Sequence, residues 1–513
     1  MKTRTQRFAA LMLICLLILS GCASGTQVAG DDMQRALPDP PTLEDNQILG
    51  DVRDPFTRDV TLYYPVENSL DLTGITRAVE VNPNETLIGQ TLSELLKTLS
   101  GAGTLRTVSS SEQLIDLEYS CGIACVNLTL EAGARQSDSD SLMLCSAIAD
   151  TLLGLEGVEA VSIFAGSRSE AVCALPLGAI NEPSDNISAL YAQLQSEETR
   201  FLTEQTTSIN RNVILYFPTS DGNYLLPELR SLSFDSDDYA SVILDALKAG
   251  PMARACCFSA MPGNQELLSD APRLWISDAG ERVIDVNFTH MLPNYLAFAG
   301  VEAWQLYGSV VLSLCSFLPE LDAVRICVDG APVESCTLGE TQLHFDGGLM
   351  RRSSFSARIG SSAMLYFADA DGGLRRVEHA MSRSAAVSPK RILAEMILVG
   401  NPGGDLTGVF PEGILPEDVL GVEVGDSIAV VNLSGSFYSR CQLLDAAGER
   451  RLIYAMVNAL TELDGIGAVR FIVEGRSIDT LAQSIYLRTP LLPDPGVVRD
   501  GSKASPEEES PDN

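Results

Sequence analysis

An internal repeat constrains the fold of this chain more than any other feature of its sequence. Each of three copies opens with a short β-rich run that contains Leu-Tyr followed by Tyr or Phe, at residues 60–64, 213–217 and 363–367. In the second and third copies an amphipathic helix follows and stops at a glycine, Gly250 or Gly400, with a proline just beyond it. Glycine commonly ends a helix and proline cannot continue one. Three copies in register predict tandem structural units.

A hairpin, a second helix and a last strand complete the repeated unit. The second arm of the hairpin carries Asn, then Leu or Phe, then Ser or Thr, beginning at Asn127, Asn287 and Asn432. In the helix of the third copy, apolar residues recur on one helical face over residues 452–463. We therefore predict an α+β fold class with three tandem small domains, each built as strand, helix, hairpin, helix and strand.

The copies and the segments between them divide the chain into eight parts. Segments without a copy of the motif are interpreted as linkers, and the Pro-, Glu- and Ser-rich C-terminus is typical of a disordered tail. The predicted parts are a signal peptide (1–21), a flexible tether (22–54), a degenerate first repeat (55–180), a linker (181–210), a second repeat (211–340), a linker (341–361), a third repeat (362–490) and an acidic tail (491–513). Because each copy has its own helices and strands, we expect residues 211–339 to fold alone.

The N-terminus predicts how the protein meets a membrane. Three basic residues among the first seven precede an apolar run over residues 8–19, which is shorter than the roughly 20 residues that span a bilayer and is typical of a signal peptide. The run leads into Leu19-Ser20-Gly21-Cys22, which resembles a lipobox, and the resemblance implies a lipid on Cys22. We expect the protein on the extracytoplasmic face of the cell membrane, anchored by that lipid. The alternative is an ordinary signal peptide with an incidental cysteine.

The charge balance argues against nucleic acid as a partner. The chain has 68 Asp and Glu residues against 35 Lys and Arg residues, a formal net charge of −33. A protein of this charge repels polyanions, including nucleic acids and anionic lipid surfaces. Contact with the membrane is therefore expected only through the lipid anchor.

Cysteine and histidine usage predicts no metal site and no cofactor. Among twelve cysteines, Cys121 and Cys125 form the tight pair, for which a disulfide and free thiols both stay open. Cys145, Cys315 and Cys327 stand in apolar runs, where we expect free, buried thiols. With three histidines in the chain, no Cys/His zinc spacing occurs.

Catalytic motifs are missing from the sequence. It has no H-E-x-x-H, no G-x-S-x-G and no P-loop, and His290, His344 and His379 are scattered. Residues 369–372 hint at a calcium loop, but Ala380 stands where a bidentate glutamate is needed, so we interpret the run as a hairpin turn. We predict no catalytic residues and a protein that is not an enzyme.

The repeated motifs together resemble the GerMN domain family. The resemblance rests on the Leu-Tyr-Phe strand, the Gly-Pro helix end, the Val-Asn-Leu-Ser strand and the last strand that ends in Val-Asp-Gly or Val-Glu-Gly. It implies a sporulation or spore-germination lipoprotein whose domains resemble ring-building modules. It also implies non-catalytic assembly with protein partners in the cell or spore envelope, with self-association as one form. The alternative interpretation is a solute- or polymer-binding lipoprotein at the cell surface.

The lipobox gives a direct test. Replacing Cys22 by alanine removes the sulfur that carries the lipid, so the C22A protein is expected in the soluble fraction, whereas the wild-type protein sediments with membranes. Fractionation with an alkaline wash makes the comparison, and circular dichroism checks that the variant is folded. Sedimentation of C22A with the washed membranes would contradict the predicted anchor.

Overall fold

A computed structural model describes the larger part of the chain. The described residues are 50–66, 69–82, 85–101, 114–128, 138–165, 178–183, 208–261, 266–319 and 321–499. The predicted signal peptide and Cys22 lie outside these ranges, as do residues 184–207 of the first predicted linker. All of the described residues belong to one compact unit of the chain, Pro40–Asn513.

The first repeat pairs a two-stranded hairpin with a three-stranded sheet. A short strand precedes it, and its elements are β1 (Gly50–Arg53), β2 (Phe56–Pro65), β3 (Leu72–Val81), α1 (Leu87–Gly101), β4 (Leu114–Ser120), β5 (Ile123–Leu128), α2 (Asp138–Leu153) and β6 (Ala160–Ala165). Strands β2 and β3 are antiparallel, and the sheet has the order β4-β5-β6, with β5 antiparallel to β4 and parallel to β6. Helices α1 and α2 pack against each other and against the β2–β3 hairpin.

The second repeat follows the same plan with additional short strands. Its elements are β7 (Ile209–Pro218), β8 (Leu225–Phe234), α3 (Tyr239–Ala249), β9 (Arg273–Ile276), β10 (Arg282–Phe288), α4 (Leu292–Ala299), α5 (Ala303–Phe317), β11 (Ala323–Val328), β12 (Ala331–Pro332), β13 (Ser335–Leu338), β14 (Thr341–His344), β15 (Leu349–Met350) and α6 (Arg352–Phe355). The sheet has the order β12-β11-β10-β9, and β10 runs parallel to β11. The equivalent parallel pair in the first repeat is β5–β6.

The third repeat completes the series. Its elements are β16 (Gly360–Ala368), β17 (Leu374–Ser382), α7 (Arg383–Ala386), α8 (Pro389–Val399), β18 (Val419–Gly425), β19 (Ile428–Leu433), α9 (Gly435–Cys441), α10 (Ala446–Thr461), β20 (Ala468–Val473) and β21 (Arg476–Ser477). Its sheet has the order β1-β18-β19-β20-β21, so a strand from before the first repeat lies at its edge.

The predicted α+β class is confirmed, and the predicted order of elements lacks one strand per repeat. The opening strand of each repeat pairs with a second antiparallel strand, to give the hairpins β2–β3, β7–β8 and β16–β17. The second arms carry charged and polar residues between their apolar ones, as in Leu-Arg-Arg-Val-Glu-His at residues 374–379. This composition is typical of the solvated face of a hairpin and has no unbroken apolar run to mark it as a strand.

Residues with positive φ close the hairpins of the first and third sheets. Asp426 and Ser427 have φ values of 50° and 60°, and Cys121 and Gly122 have values of 53° and 80°. Two consecutive residues with positive φ form the tight turn whose twist matches that of paired strands. Cys121, one member of the tight cysteine pair, is therefore a turn residue.

The helical face predicted in the third repeat is buried in the structure. Leu452, Ile453, Met456, Val457 and Leu460 of α10 are all fully buried in the core of this repeat. At a period of 3.6 residues these positions lie on one side of the helix.

The second predicted linker, residues 341–361, is wrong: it is folded into the second repeat. Met350 pairs with Val324 of β11, and Phe345, Met350 and Phe355 are buried in the core of that repeat. Its Gly, Ser and Arg content indicated a connector, but these three residues and Ile359 are all buried in that core. Because the fragment 211–339 lacks all four, it is not the complete folding unit.

The predicted ends of the folded part are also wrong. The tether was expected to continue to residue 54, yet Gly50–Arg53 form β1 and pair with β18. The tail was expected from residue 491, yet Leu491 bridges Val469, and the Arg499 amide donates to the Leu374 carbonyl at 2.8 Å. Backbone pairing with the third repeat orders both segments, and such pairing does not depend on an apolar pattern.

None of the helices in the described ranges combines the length and the hydropathy that crossing a bilayer requires.

The folded linker gives a stability prediction with a matched control. Phe355 is fully buried and Phe298 is 92% exposed. Replacing Phe355 by alanine should lower the free energy of unfolding by about 3–5 kcal/mol, because it leaves a cavity in the core. Replacing Phe298 by alanine should change it by less than about 0.5 kcal/mol. Urea unfolding of the full chain measures both, and equal effects would contradict the burial of the linker.

Candidate functional site at the junction of the three repeats

The sheet of the first repeat has both faces covered. Ala124 and Val126 of β5 face the core of their own repeat, whereas Ile123 and Cys125 belong to the core of the second repeat. Phe164 of β6 joins that second core. Because side chains alternate along a strand, one face of this sheet packs in the core of the first repeat and the other face packs in the core of the second. The first two repeats therefore share apolar packing.

A buried ion pair lies at this shared face. Arg352 of α6 pairs with Glu118 of β4, and both side chains are largely buried. The guanidinium also donates to Ser316 Oγ at 2.8 Å, and its carbon lies 4.8 Å from the centre of the Phe164 ring. Burial alone would lower the pKa of Arg352, but the neighbouring Tyr216 and further groups outweigh it and raise the pKa.

A second ion pair joins the second and third repeats. Arg254, in the loop after α3, pairs with Glu378 of β17, and its Nε donates to the Pro227 carbonyl at 2.8 Å. Ser362 Oγ of β16 donates to Glu378 Oε1 at 2.8 Å. The Glu378 carboxylate thus bonds to side chains of two repeats.

Cysteines of two repeats surround this ion pair. Cys121 Sγ lies 3.6 Å from Ser362 Oγ, and Cys256 Sγ lies 3.9 Å from Glu378 Oε2. The sulfurs of Cys256 and Cys257 are 4.0 Å apart. All three repeats therefore contribute side chains to one cluster.

The third repeat meets the first across a cleft of about 530 Å³. Arg53 Nη2 donates to the Asp464 carbonyl at 3.1 Å, and its guanidinium lies 4.4 Å from the centre of the Phe56 ring. Burial, with a contribution from the charge of Glu156, raises the pKa of Asp464. The cleft is also lined by Arg58, Tyr119, Cys121, Ser361 and Arg383.

The repeated asparagine has a structural role in the second and third repeats, whereas Asn127 Oδ1 of the first is buried with no hydrogen-bond partner among the described residues. Asn287 Oδ1 accepts from the Gly330 amide at 2.9 Å, and Asn432 Oδ1 accepts from the Gly475 amide at 3.0 Å. These glycines follow Asp329 and Glu474, whose φ values are 53° and 50°. The Val-Asn strand and the Val-Asp-Gly or Val-Glu-Gly end therefore act together. The asparagine side chain of the strand stabilises the tight turn at the glycine.

The Ser or Thr two positions after this asparagine acts differently in different copies. Ser434 Oγ accepts from the Phe437 amide at 3.0 Å and caps α9. Thr289 Oγ1 is buried and has no hydrogen-bond partner among the described residues. Thr129 lies outside the described ranges.

Polar residues considered at the sequence level are not brought together. His290 and His344 are exposed, and Nε2 of the partly buried His379 lies 3.2 Å from Glu395 Oε1 in the third repeat. Asp369 Oδ1 accepts from the Asp371 and Gly373 amides at 3.1 and 2.7 Å, so residues 369–372 form the predicted turn. Within the described ranges, His, Cys, Asp and Glu side chains form no group of three that suits a metal ion.

The cysteines in the described ranges are free thiols. Cys145, Cys315 and Cys327 are buried, as their apolar surroundings indicate. Burial raises the pKa of Cys145 and of Cys315 to about 12. Cys125 points into the second repeat, whereas Cys121 faces the third, so the structure holds the tight pair as separate thiols.

Sequence reasoning missed the residues that form the junction. Glu118 and Arg352 are 234 positions apart, and Arg254 and Glu378 are 124 positions apart. Each is an ordinary charged residue in its local sequence. The one local signal is the arginine pair at residues 351–352 inside a segment that otherwise reads as a connector.

Comparisons with known proteins identify the repeats. The family described as "Germane: Sporulation and spore germination" matches residues 61–169, 214–334 and 364–479. The chain belongs to this family. The matches are in tandem, one for each repeat of the structure, and GerMN domains in three tandem copies, the first degenerate, are confirmed.

Solved structures of GerMN domains are among the matches. The tandem GerMN domains of the sporulation protein GerM from Bacillus subtilis match at 16% identity, over 56% of this chain and 98% of that chain, with a TM-score of 0.23. The first GerMN domain of the same protein matches at 15% identity, over 26% and 96%, with a TM-score of 0.21. A putative lipoprotein from Clostridium perfringens matches at 17% identity, over 26% and 87%, with a TM-score of 0.19. No curated protein matches the chain.

The contribution of the ion pair between the first two repeats to the free energy of unfolding can be tested by mutation. Replacing Glu118 by glutamine leaves the Arg352 guanidinium buried without its counter-charge, which should lower the free energy of unfolding by about 3–5 kcal/mol. Replacing Asp405 by asparagine breaks the more exposed pair with Arg375 and should cost less than about 1 kcal/mol.

Denaturant unfolding of the full chain compares the two variants. The double variant E118M/R352M removes both charges together and is expected to recover much of the loss. If E118Q is as stable as D405N, the pair does not hold the repeats together.

Proposed function

We propose that this protein is a lipid-anchored, extracytoplasmic lipoprotein that acts without catalysis, through protein–protein assembly, in sporulation or spore germination. The role in sporulation or spore germination is supported by three matches to a family with that description. The lipobox-like Leu19-Ser20-Gly21-Cys22 supports the anchor.

The observation that carries the assembly proposal is an uncovered sheet edge in the second repeat. The first hairpin arms of the three sheets are β4, β9 and β18, and β4 and β9 are edge strands of their sheets. Strand β18 is covered by β1, and β4 lies against β16 of the third repeat. Strand β9 pairs with β10 alone among the described strands. No described residue occupies the other side of β9 as a strand, so its backbone groups there can pair with a strand of a partner.

The side chains of β9 support the same interpretation. Leu274 and Ile276 are 61% and 68% exposed and lie on one face of the strand. Natural edge strands are commonly protected by charge, whereas this one exposes two aliphatic residues next to unpaired backbone groups. A partner that adds an extended strand buries both features at once. We therefore assign β9 as the contact with a protein partner in the envelope.

A charge placed on this edge tests the proposal. Replacing Ile276 by lysine puts an ammonium group where a partner strand would pack, without disturbing a buried residue. In a spore-forming host, the I276K protein is expected at normal level and in the membrane fraction, but with the phenotype of a deletion strain. Cross-linking of the tagged full chain should recover partner proteins from wild type and not from I276K.

The matched control is Leu398→Lys. Leu398 is 60% exposed, but it lies on helix α8 and not on a sheet edge, so L398K is expected to behave as wild type. Wild-type behaviour of I276K would exclude β9 as the contact. A folded, correctly localised variant at a single polar residue such as His290 with the deletion phenotype would instead indicate an enzyme.

The cleft between the first and third repeats favours a second candidate, a solute- or polymer-binding lipoprotein. Its volume of about 530 Å³ is that of a small-molecule site, and arginine, carboxylate and aromatic side chains line it. On this candidate, soluble cell-wall fragments would raise the melting temperature of the full chain, and Arg58→Glu, at the exposed rim, would remove the effect.

A further inference from the structure

The second repeat places two neighbouring thiols beside a guanidinium at the meeting point of all three repeats. Cys256 and Cys257 follow the helix end at Gly250, and their loop is fixed to the end of β7. The Ser220 amide donates to the Cys256 carbonyl at 2.8 Å, and the Phe258 amide donates to the Pro218 carbonyl at 3.0 Å. The loop backbone thus holds the two sulfurs in place.

The two thiols differ in environment. Cys257 is buried in the core of the second repeat, whereas Cys256 is partly exposed. The sulfurs are 4.0 Å apart, within hydrogen-bond reach for thiols. Cys257 can therefore donate its proton to the sulfur of Cys256, which is the sulfur that solvent reaches.

Charged and titratable groups from the second and third repeats face Cys256. They are Arg254 and Cys257 of its own loop and Glu378 of β17, whereas Cys121 of the β4–β5 turn acts on Arg254. The Glu378 carboxylate is neutralised by Arg254 and bonded by Ser362 Oγ. The hydrogen bond from Cys257, with help from Arg254, lowers the pKa of Cys256 against the opposing effects of burial and Glu378.

We propose that Cys256 is a site of thiol modification, which exchanges with small-molecule disulfides to form a mixed disulfide. In the exchange, the Cys256 thiolate attacks one sulfur of the disulfide, a new sulfur–sulfur bond forms at Cys256, and the old bond breaks. The other half of the reagent leaves as a thiolate, and the proton lost by Cys256 goes to solvent. The thiolate is the attacking species, so a thiol held near a donor and a cation reacts first.

The position of the adduct gives the modification a structural consequence. It lies beside the Arg254–Glu378 ion pair, where the second and third repeats meet. A group attached to Cys256 therefore reaches the contact between these repeats. The burial of Cys257 leaves Cys256 as the sulfur of the pair that is open to solvent.

Pulse labelling of the folded full chain tests the proposal. The chain is exposed briefly to oxidised glutathione, quenched with acid and mapped by mass spectrometry, so that each cysteine is read separately. Cys256 is expected to gain glutathione at least about tenfold faster than Cys327, since burial raises the pKa of Cys327 and one pKa unit changes the thiolate fraction tenfold. The pH of half-maximal labelling should also be lower for Cys256.

A pair of variants at Cys257 tests the role of the donor. Cys257→Ser keeps a hydroxyl donor and should leave labelling of Cys256 close to wild type. Cys257→Ala removes the donor and should slow labelling about three- to tenfold. Labelling of the buried Cys145 in the same samples reports unfolding, so a variant that loses its fold is recognised, and the serine variant then carries the test.

Labelling of Cys256 at or below the rate of Cys327 would overturn the proposal. An alanine variant that stays folded and keeps the wild-type rate would overturn the role of Cys257 as donor.

Discussion

The buried guanidinium of Arg352 is the interaction on which the arrangement of the first two repeats depends. It pairs with Glu118 of the first repeat and bonds to Ser316 of the second. A buried ion pair gives little net stability compared with well-packed apolar groups, but breaking it is costly. Apolar packing between Phe164 and the second core would tolerate several relative positions, whereas the charged pair is satisfied in one. The ion pair thus determines the relative position of the first two repeats, and the burial of apolar side chains in the shared core stabilises their contact.

Chain segments outside the repeats convert the tandem series into a single body. Strand β1 stands before the first repeat in sequence, but it completes the sheet of the third, which brings the two ends of the series together. The last described residue, Arg499, returns to β17 in the same way. Tandem modules on flexible linkers gain affinity through effective concentration. Repeats joined by shared cores and backbone pairing instead present their surfaces at fixed spacing.

The sequence predicts what depends on local pattern. The helical face of α10 and the turn at residues 369–372 both follow from residues within a few positions of one another. The junction depends on contacts between residues more than one hundred positions apart, such as Arg254 with Glu378. The prediction of a linker at 341–361 was wrong for a related reason. Composition gives the average polarity of a segment, whereas four buried apolar side chains are enough to fix this segment in the core. The family resemblance located the repeats in the sequence. It did not predict how neighbouring repeats pack, because the sequence of one repeat does not specify its contacts with the next.

The charge of the protein restricts the kind of surface that can serve in assembly. With a net charge of −33, two copies of the chain, or this chain and another acidic protein, repel each other at long range. Salt at about 0.1 M screens this repulsion beyond roughly 10 Å, so a short-range contact can still form. Backbone pairing and aliphatic burial are contacts of that kind, and neither needs a complementary charge. Strand β9 has no second partner strand among the described residues, and its exposed Leu274 and Ile276 suit the proposed contact with an acidic protein better than an ionic interface would.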